Sequence, residues 1–173
     1  VLPNIYRIEV PLPRNPLRAI NSYVIKGDDR VLIVDTGMNR DECLSALSSG
    51  LREVGVDLDK ADFFITHMHA DHSGLVSSLA TPRSTIYCSQ VDGDVINDVD
   101  RRRLREDGES FTRLNGFPED EYKKAMSNHP GYAYSTRSRL DLHFLEEGET
   151  MNVGDYSFEC IETPGHTKGH RCL

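Results

Sequence analysis

The stretch Ala61-Asp62-Phe63-Phe64-Ile65-Thr66-His67-Met68-His69-Ala70-Asp71-His72 decides how this chain is read. Its first half is apolar and β-prone, and it predicts a buried strand. Its second half sets four strong metal ligands, His67, His69, Asp71 and His72, directly at the end of that strand. Three of them are imidazoles, whose neutral nitrogens suit zinc, iron or manganese better than calcium. A regular strand sends residues two apart to the same face, so His67 and His69 point together. A break after His69 turns Asp71 and His72 toward a second, neighbouring ion. Each histidine at a buried strand end forfeits apolar burial, so packing alone is a poor reason for the cluster.

Upstream, Asn21-Ser22-Tyr23-Val24-Ile25 predicts a strand and Gly27-Asp28-Asp29 a turn. Val31-Leu32-Ile33-Val34 then reads as a strand covered on both faces, ending at Asp35-Thr36-Gly37. From Asp41 to Val54 the period changes. Leu44, Leu47, Leu51 and Val54 share a helical face, with Asn39 or Asp41 as cap and Gly55 as stop. Downstream, a helix from Ser73 and a strand over Thr85-Ile86-Tyr87-Cys88 complete a strand-helix-strand-helix-strand order, which predicts an α/β fold. Residues from about 90 to 139 are polar and charge-rich, with breaks at Gly116-Phe117-Pro118 and His129-Pro130-Gly131. They read as a helical insertion in a single domain spanning 1–173. Two more strands are expected over Leu140–Leu145 and Tyr156–Ile161, with turns at Glu147-Gly148 and Gly154-Asp155. Beyond them lies Thr163-Pro164-Gly165-His166-Thr167-Lys168-Gly169-His170, where Pro164 and Gly165 set a sharp turn. His166 there supplies the third nitrogen of a tetrahedral site.

Composition narrows the function. With 38% hydrophobic and 28% charged residues, the chain reads as an ordinary globular protein. No apolar run is long enough to cross a bilayer, and the first residues lack a signal-peptide layout, so no membrane partner is expected. The formal net charge of -8 opposes nucleic acid as a partner. Arg101-Arg102-Arg103 and Arg105 lie among acidic residues and read as a solvated mixed-charge helix, with anionic-ligand binding as the alternative. Cys43, Cys88, Cys160 and Cys172 are scattered without a CxxC pair, which points to reduced thiols and a cytoplasmic setting.

At these residues the sequence resembles the metallo-β-lactamase superfamily. His67-x-His69-x-Asp71-His72 matches its HxHxDH signature, Asp35-Thr36-Gly37 its first motif, and Thr163-Pro164-Gly165-His166-Thr167 its third. The resemblance implies an αββα sandwich with metal at one edge between the sheets. It implies a first metal on His67, His69 and His166, and a second on Asp71 and His72. Asp35 would hydrogen-bond a ligand histidine, and Asp71 would also orient the nucleophile or accept its proton. His170 matches no ligand position. The implied activity is that of a hydrolase using metal-activated hydroxide on a small ester, thioester or lactone, with one or two zinc ions and iron or manganese as other candidates. Relatives supply, after the third motif, a bridging Asp and a final His that have no counterpart before Leu173. A sandwich incomplete in its C-terminal half is therefore expected, with apolar surface that favours self-association. Two other readings follow from the same resemblance: a metal-binding but catalytically incomplete chain, and an iron-dependent redox member.

Overall fold

The computed structural model describes residues 2–98, 102–127 and 129–173, apart from the side chains of 102–107. Strands β1 (Ile5–Pro11), β2 (Ala19–Lys26), β3 (Val31–Val34), β4 (Ala61–Phe64), β5 (Ile86–Cys88) and β6 (Leu142–Phe144) form one sheet in that order. The first three run antiparallel as successive neighbours, whereas β3 to β6 run parallel. Each parallel step needs a crossover, and helices supply it. Helix α1 (Asp41–Glu53) links β3 to β4, and α2 (Ala70–Ser73) with α3 (Val76–Leu79) link β4 to β5. Among the described residues, four helices lie between β5 and β6: α4 (Gln90–Ile96), α5 (Arg102–Leu114), α6 (Glu119–Ser127) and α7 (Pro130–Ala133). The chain then forms a hairpin, β7 (Thr150–Val153) with β8 (Tyr156–Glu159), and a short pair, β9 (Ile161–Glu162) with β10 (Arg171–Cys172).

The apolar runs of β3 and β4 follow from this layering. Val31 and Ile33 face the helices, in one core with Cys43, Leu47 and Leu51 of α1. Leu32, one residue out of phase, faces a second core with Met151, Val153 and Cys160. In β4, Ala61 and Phe63 join the first core and Phe64 the second. A strand covered on both sides has no solvent face to make polar. Burying Phe63 and Phe64 fully contributes about 1.5–3 kcal/mol each.

Several local expectations are corrected. Neither Asn39 nor Asp41 caps α1: the cap position is Arg40, with no side-chain bond. Asn39 instead donates its side-chain amide to the Ser135 carbonyl at 3.2 Å, tying the first motif to the end of the insertion. Gly55 does follow the helix, at φ 71°, with its N–H on the Arg52 carbonyl. The helix expected from Ser73 is two short ones, and the first begins at Ala70, so Asp71 and His72 are helical. Gly74 sits at their junction because three backbone segments meet there. A Cβ at Gly74 would lie 2.5 Å from the carbonyls of Ala70 and Tyr134 and 2.7 Å from the Asn39 nitrogen. His129-Pro130-Gly131 starts α7 rather than only breaking a helix: His129 Nδ1 accepts from the Gly131 N–H and Pro130 takes the first turn. The strand β7 was not expected. The Arg101–Arg105 run lies outside the described side chains.

Candidate metal centre

Strands β3 and β4 are parallel, so the loops at their carboxyl ends emerge side by side. This is the edge where open α/β sheets place their ligands. The loop between β9 and β10 joins them, because the Arg171 N–H donates to the Thr66 carbonyl at 2.9 Å.

Asp35 organises this edge. It is a buried non-glycine residue at φ 59°, a left-handed conformation that needs surrounding contacts to hold it. Those contacts are present: its N–H reaches the Phe64 carbonyl, and its own carbonyl accepts from Ser22 Oγ at 2.8 Å. Its Oδ1 accepts the Thr66 N–H at 2.9 Å. Its Oδ2 accepts from Thr66 Oγ1 at 2.8 Å and from His72 Nδ1 at 2.7 Å. Next to it, Thr36 donates both its N–H and its hydroxyl to the His72 carbonyl, at 2.8 and 2.9 Å.

The donor arithmetic sets the tautomer of His67. Thr66 has one hydroxyl proton, and the Asp35 carboxylate can only accept it. Thr66 Oγ1 therefore accepts from His67 Nδ1, 3.0 Å away, and the Nε2 of a neutral His67 carries a lone pair. That Nε2 is buried and has no hydrogen-bond partner. A buried polar atom without a partner costs about 1–3 kcal/mol, and a metal ion supplies what it lacks.

His67, His69 and His166 bring one ligating nitrogen each within 4.8 Å of one another. His69 Nδ1 and His166 Nε2 are 2.9 Å apart, and the His67 ring centre is 4.9 Å from each of their rings. Beside this trio, His72 Nε2 lies 3.6 Å from Asp71 Oδ2. With Nδ1 committed to Asp35, a neutral His72 would face Asp71 with a lone pair, a position that a proton, a water or a cation could fill. His170 is held by Thr163 Oγ1 at 2.6 Å, with its ring 5.2 Å from that of His67, outside the trio. The residues fit a divalent ion: convergent imidazoles, one with an orphaned lone pair and a carboxylate behind it.

Sequence reasoning missed Asp92. This buried carboxylate accepts the Met68 N–H at 3.0 Å, Thr167 Oγ1 at 2.6 Å and the Gly169 N–H at 3.0 Å. It thus clamps the loop carrying His67 and His69 to the loop carrying His166. The sequence signal at Asp92 is local. Ser89-Gln90-Val91-Asp92 has capping-box spacing, and Ser89 Oγ does accept the Asp92 N–H at 3.2 Å. That pattern announces the start of α4 and says nothing of the distant loops.

Burial, then the neighbouring imidazoles of His72, His69, His166 and His170, push the His67 pKa down to about 2. Burial and His166 likewise lower that of His69. Burial pulls His72 down too, but the hydrogen bond and charge of Asp35, with Asp71, outweigh it and the net shift is upward. Without metal, unfolded His67 takes up a proton near pH 6.5 and folded His67 only near 2. Its contribution is therefore fully present above pH 6.5 and is lost as pH falls toward 2. The slope is up to about 1.4 kcal/mol per pH unit for one linked proton. His72 works in the opposite sense, contributing below its ordinary pKa and losing that contribution as pH rises through its raised value. With His67 and His69 both depressed, the melting temperature of metal-stripped protein is expected to fall on acidification below pH 6.5. The fall should be smaller in His67→Gln, and equal slopes would rule out the His67 contribution.

The architecture and site together define an α/β protein with three imidazoles gathered at one edge of its main sheet, a grouping that could hold a metal ion. The chain belongs to the metallo-beta-lactamase superfamily, whose family profile matches residues 15–173. It is 25% identical over 162 residues to acyl-coenzyme A thioesterase MBLAC2 of Homo sapiens, covering 88% of this chain and 53% of that protein. It is 28% identical over 160 residues to a hydroxyacylglutathione hydrolase of Xylella fastidiosa, covering 90% and 42% respectively. Among solved structures, a metallo-beta-lactamase family protein of Thermus thermophilus superposes with a TM-score of 0.76. It is 24% identical, over 98% of this chain and 55% of that one, and supports the fold. The chain spans about half the length of the curated relatives it matches.

Proposed function

We propose that this chain provides the metal centre of a hydrolase for a small ester, thioester or lactone. The observation that carries the reading is the buried, partnerless Nε2 of His67 converging with His69 and His166. His67, His69 and His166 would hold one ion, and Asp71 and His72 a second. Zinc suits an imidazole-rich set, with iron and manganese as the competing ions. When bound, such an ion supplies Lewis acidity, activating water near neutral pH and polarising a carbonyl. Asp35 fixes the orientation of His72 directly and that of His67 through Thr66. Asp71, partly exposed beside His72, would orient the attacking water and take its proton. The acyl substrate class is supported by two relatives whose names are those of acyl hydrolases. Metal-stripped protein reloaded with zinc, iron or manganese should be assayed against thioesters, esters and lactones, with bound metal counted in parallel. Metal uptake with turnover of an acyl substrate is expected. Folded, metal-loaded protein inert on all three classes would overturn the hydrolase assignment.

A further inference from the structure

Between the metal loop and the helices that follow β5 lies a cavity of about 420 Å³. One side is formed by Met68 and His69, the other by Phe111, Tyr122, Met126 and Tyr132. Among its described lining residues there is no Lys, Arg, Asp or Glu. Its volume falls within the range of about 300–1,000 Å³ usual for small-molecule sites. The helices are built to form this wall. Tyr122 of α6 is buried against α5 at Gly108, where a methyl would overlap its hydroxyl and sit 3.0 Å from Cζ. A glycine inside a helix lowers helix stability, so its presence here has a packing reason. An apolar hollow opening beside a candidate ligand imidazole suits the non-reacting hydrocarbon of a substrate. A charged group would lose water there and meet no opposite charge among the described lining residues, which offer only scattered hydroxyls and imidazoles in a mainly apolar wall.

We propose that this cavity holds the apolar acyl chain of the substrate, with the scissile carbonyl at the His69 end. The inference rests on the hydrolase reading above and narrows it to acyl groups longer than acetyl.

The test uses straight-chain carboxylates from acetate to decanoate, which resemble the acyl product and undergo no turnover. Titrated calorimetrically into the metal-loaded chain, they should bind about fourfold more tightly per added methylene until the cavity is full. Met126→Trp should make the affinity level off at shorter chains, and Phe111→Ala, removing one wall, should flatten the rise. The chain contains no tryptophan, so the introduced indole also reports binding by fluorescence. Affinity independent of chain length would overturn the proposal, as would a normally melting Met126→Trp variant with an unaltered profile. If Met126→Trp does not fold, Phe111→Ala decides alone. A rising series without hydrolysis of the matching thioesters would remove the hydrolase reading and leave the pocket standing. Hydrolysis with no chain-length preference in binding would remove the pocket alone.

Discussion

His67→Ala is expected to abolish tight metal binding while the chain remains folded. In the folded protein the Nδ1 of His67 is tied through Thr66 to Asp35, and Nε2 faces the imidazoles of His69 and His166 without a partner. Removing it leaves two nitrogens where a tetrahedral site with an open position for water uses three protein ligands. The affinity loss should exceed the ~10–100-fold typical of losing a group that only orients a ligand. Folding should suffer less, because alanine also removes a buried polar atom that nothing satisfies in the metal-free state. Metal per chain by elemental analysis, with affinity from competition against a chelator, gives the answer. His143→Ala is the control, since its exposed ring packs on Tyr87 in the sheet and lies outside the imidazole trio. Full metal content in His67→Ala would sink the assignment of the trio as a metal site.

Asp92→Ala should damage stability and metal affinity together. The carboxylate satisfies two backbone N–H groups, those of Met68 and Gly169, and the hydroxyl of Thr167. At about 1–3 kcal/mol for each donor left unpaired, the summed cost is at least about 3 kcal/mol, beyond the usual range for a point substitution. Its position makes the second effect specific. Met68 lies between His67 and His69, and Thr167 follows His166, so Asp92 sets the distance between the two halves of the trio. Freeing the loops should cost about 10–100-fold in metal affinity, as losses behind a ligand do. Asp92→Asn sharpens the test. With its oxygen in the Oδ2 place the amide keeps the bonds from the Met68 N–H and the Thr167 hydroxyl and sets its NH₂ only against the Gly169 N–H, so it should recover part of both properties. Denaturant unfolding of the metal-free protein reads the first effect and chelator competition the second. Lost stability with unchanged metal affinity would show that Asp92 braces the fold without setting the site.

The fold and the imidazole cluster were legible because their signals are local. The run Val31-Leu32-Ile33-Val34 is apolar throughout because both its faces are covered, and it coincides with β3. His67, His69, Asp71 and His72 are neighbours in the chain, so a strand followed by a turn suffices to group them. Element ends were less legible. The helix expected from Ser73 begins at Ala70, and Asn39 leaves the cap of α1 to hold Ser135. In both places a contact with a distant segment outweighs local preference, and no window of sequence contains its partner.

What the sequence by itself determined is therefore the α/β layering and the two histidine-bearing loops for which a metal site is proposed. Side-chain period and ligand chemistry act over a few residues and are written where they act. Only the tertiary structure decided the rest. It placed His166 2.9 Å from His69 across 97 positions, passed the Asp35 carboxylate through Thr66 to His67, and made Asp92 the clamp between loops. It also formed the apolar cavity between the His67–His69 loop and α5–α7. Each of these depends on groups far apart in the chain that meet only when the β3–β4 edge, the β9–β10 loop and the helices after β5 pack together. Their hydrogen-bond partners and burial exist only in that packed arrangement, so no local pattern could encode them.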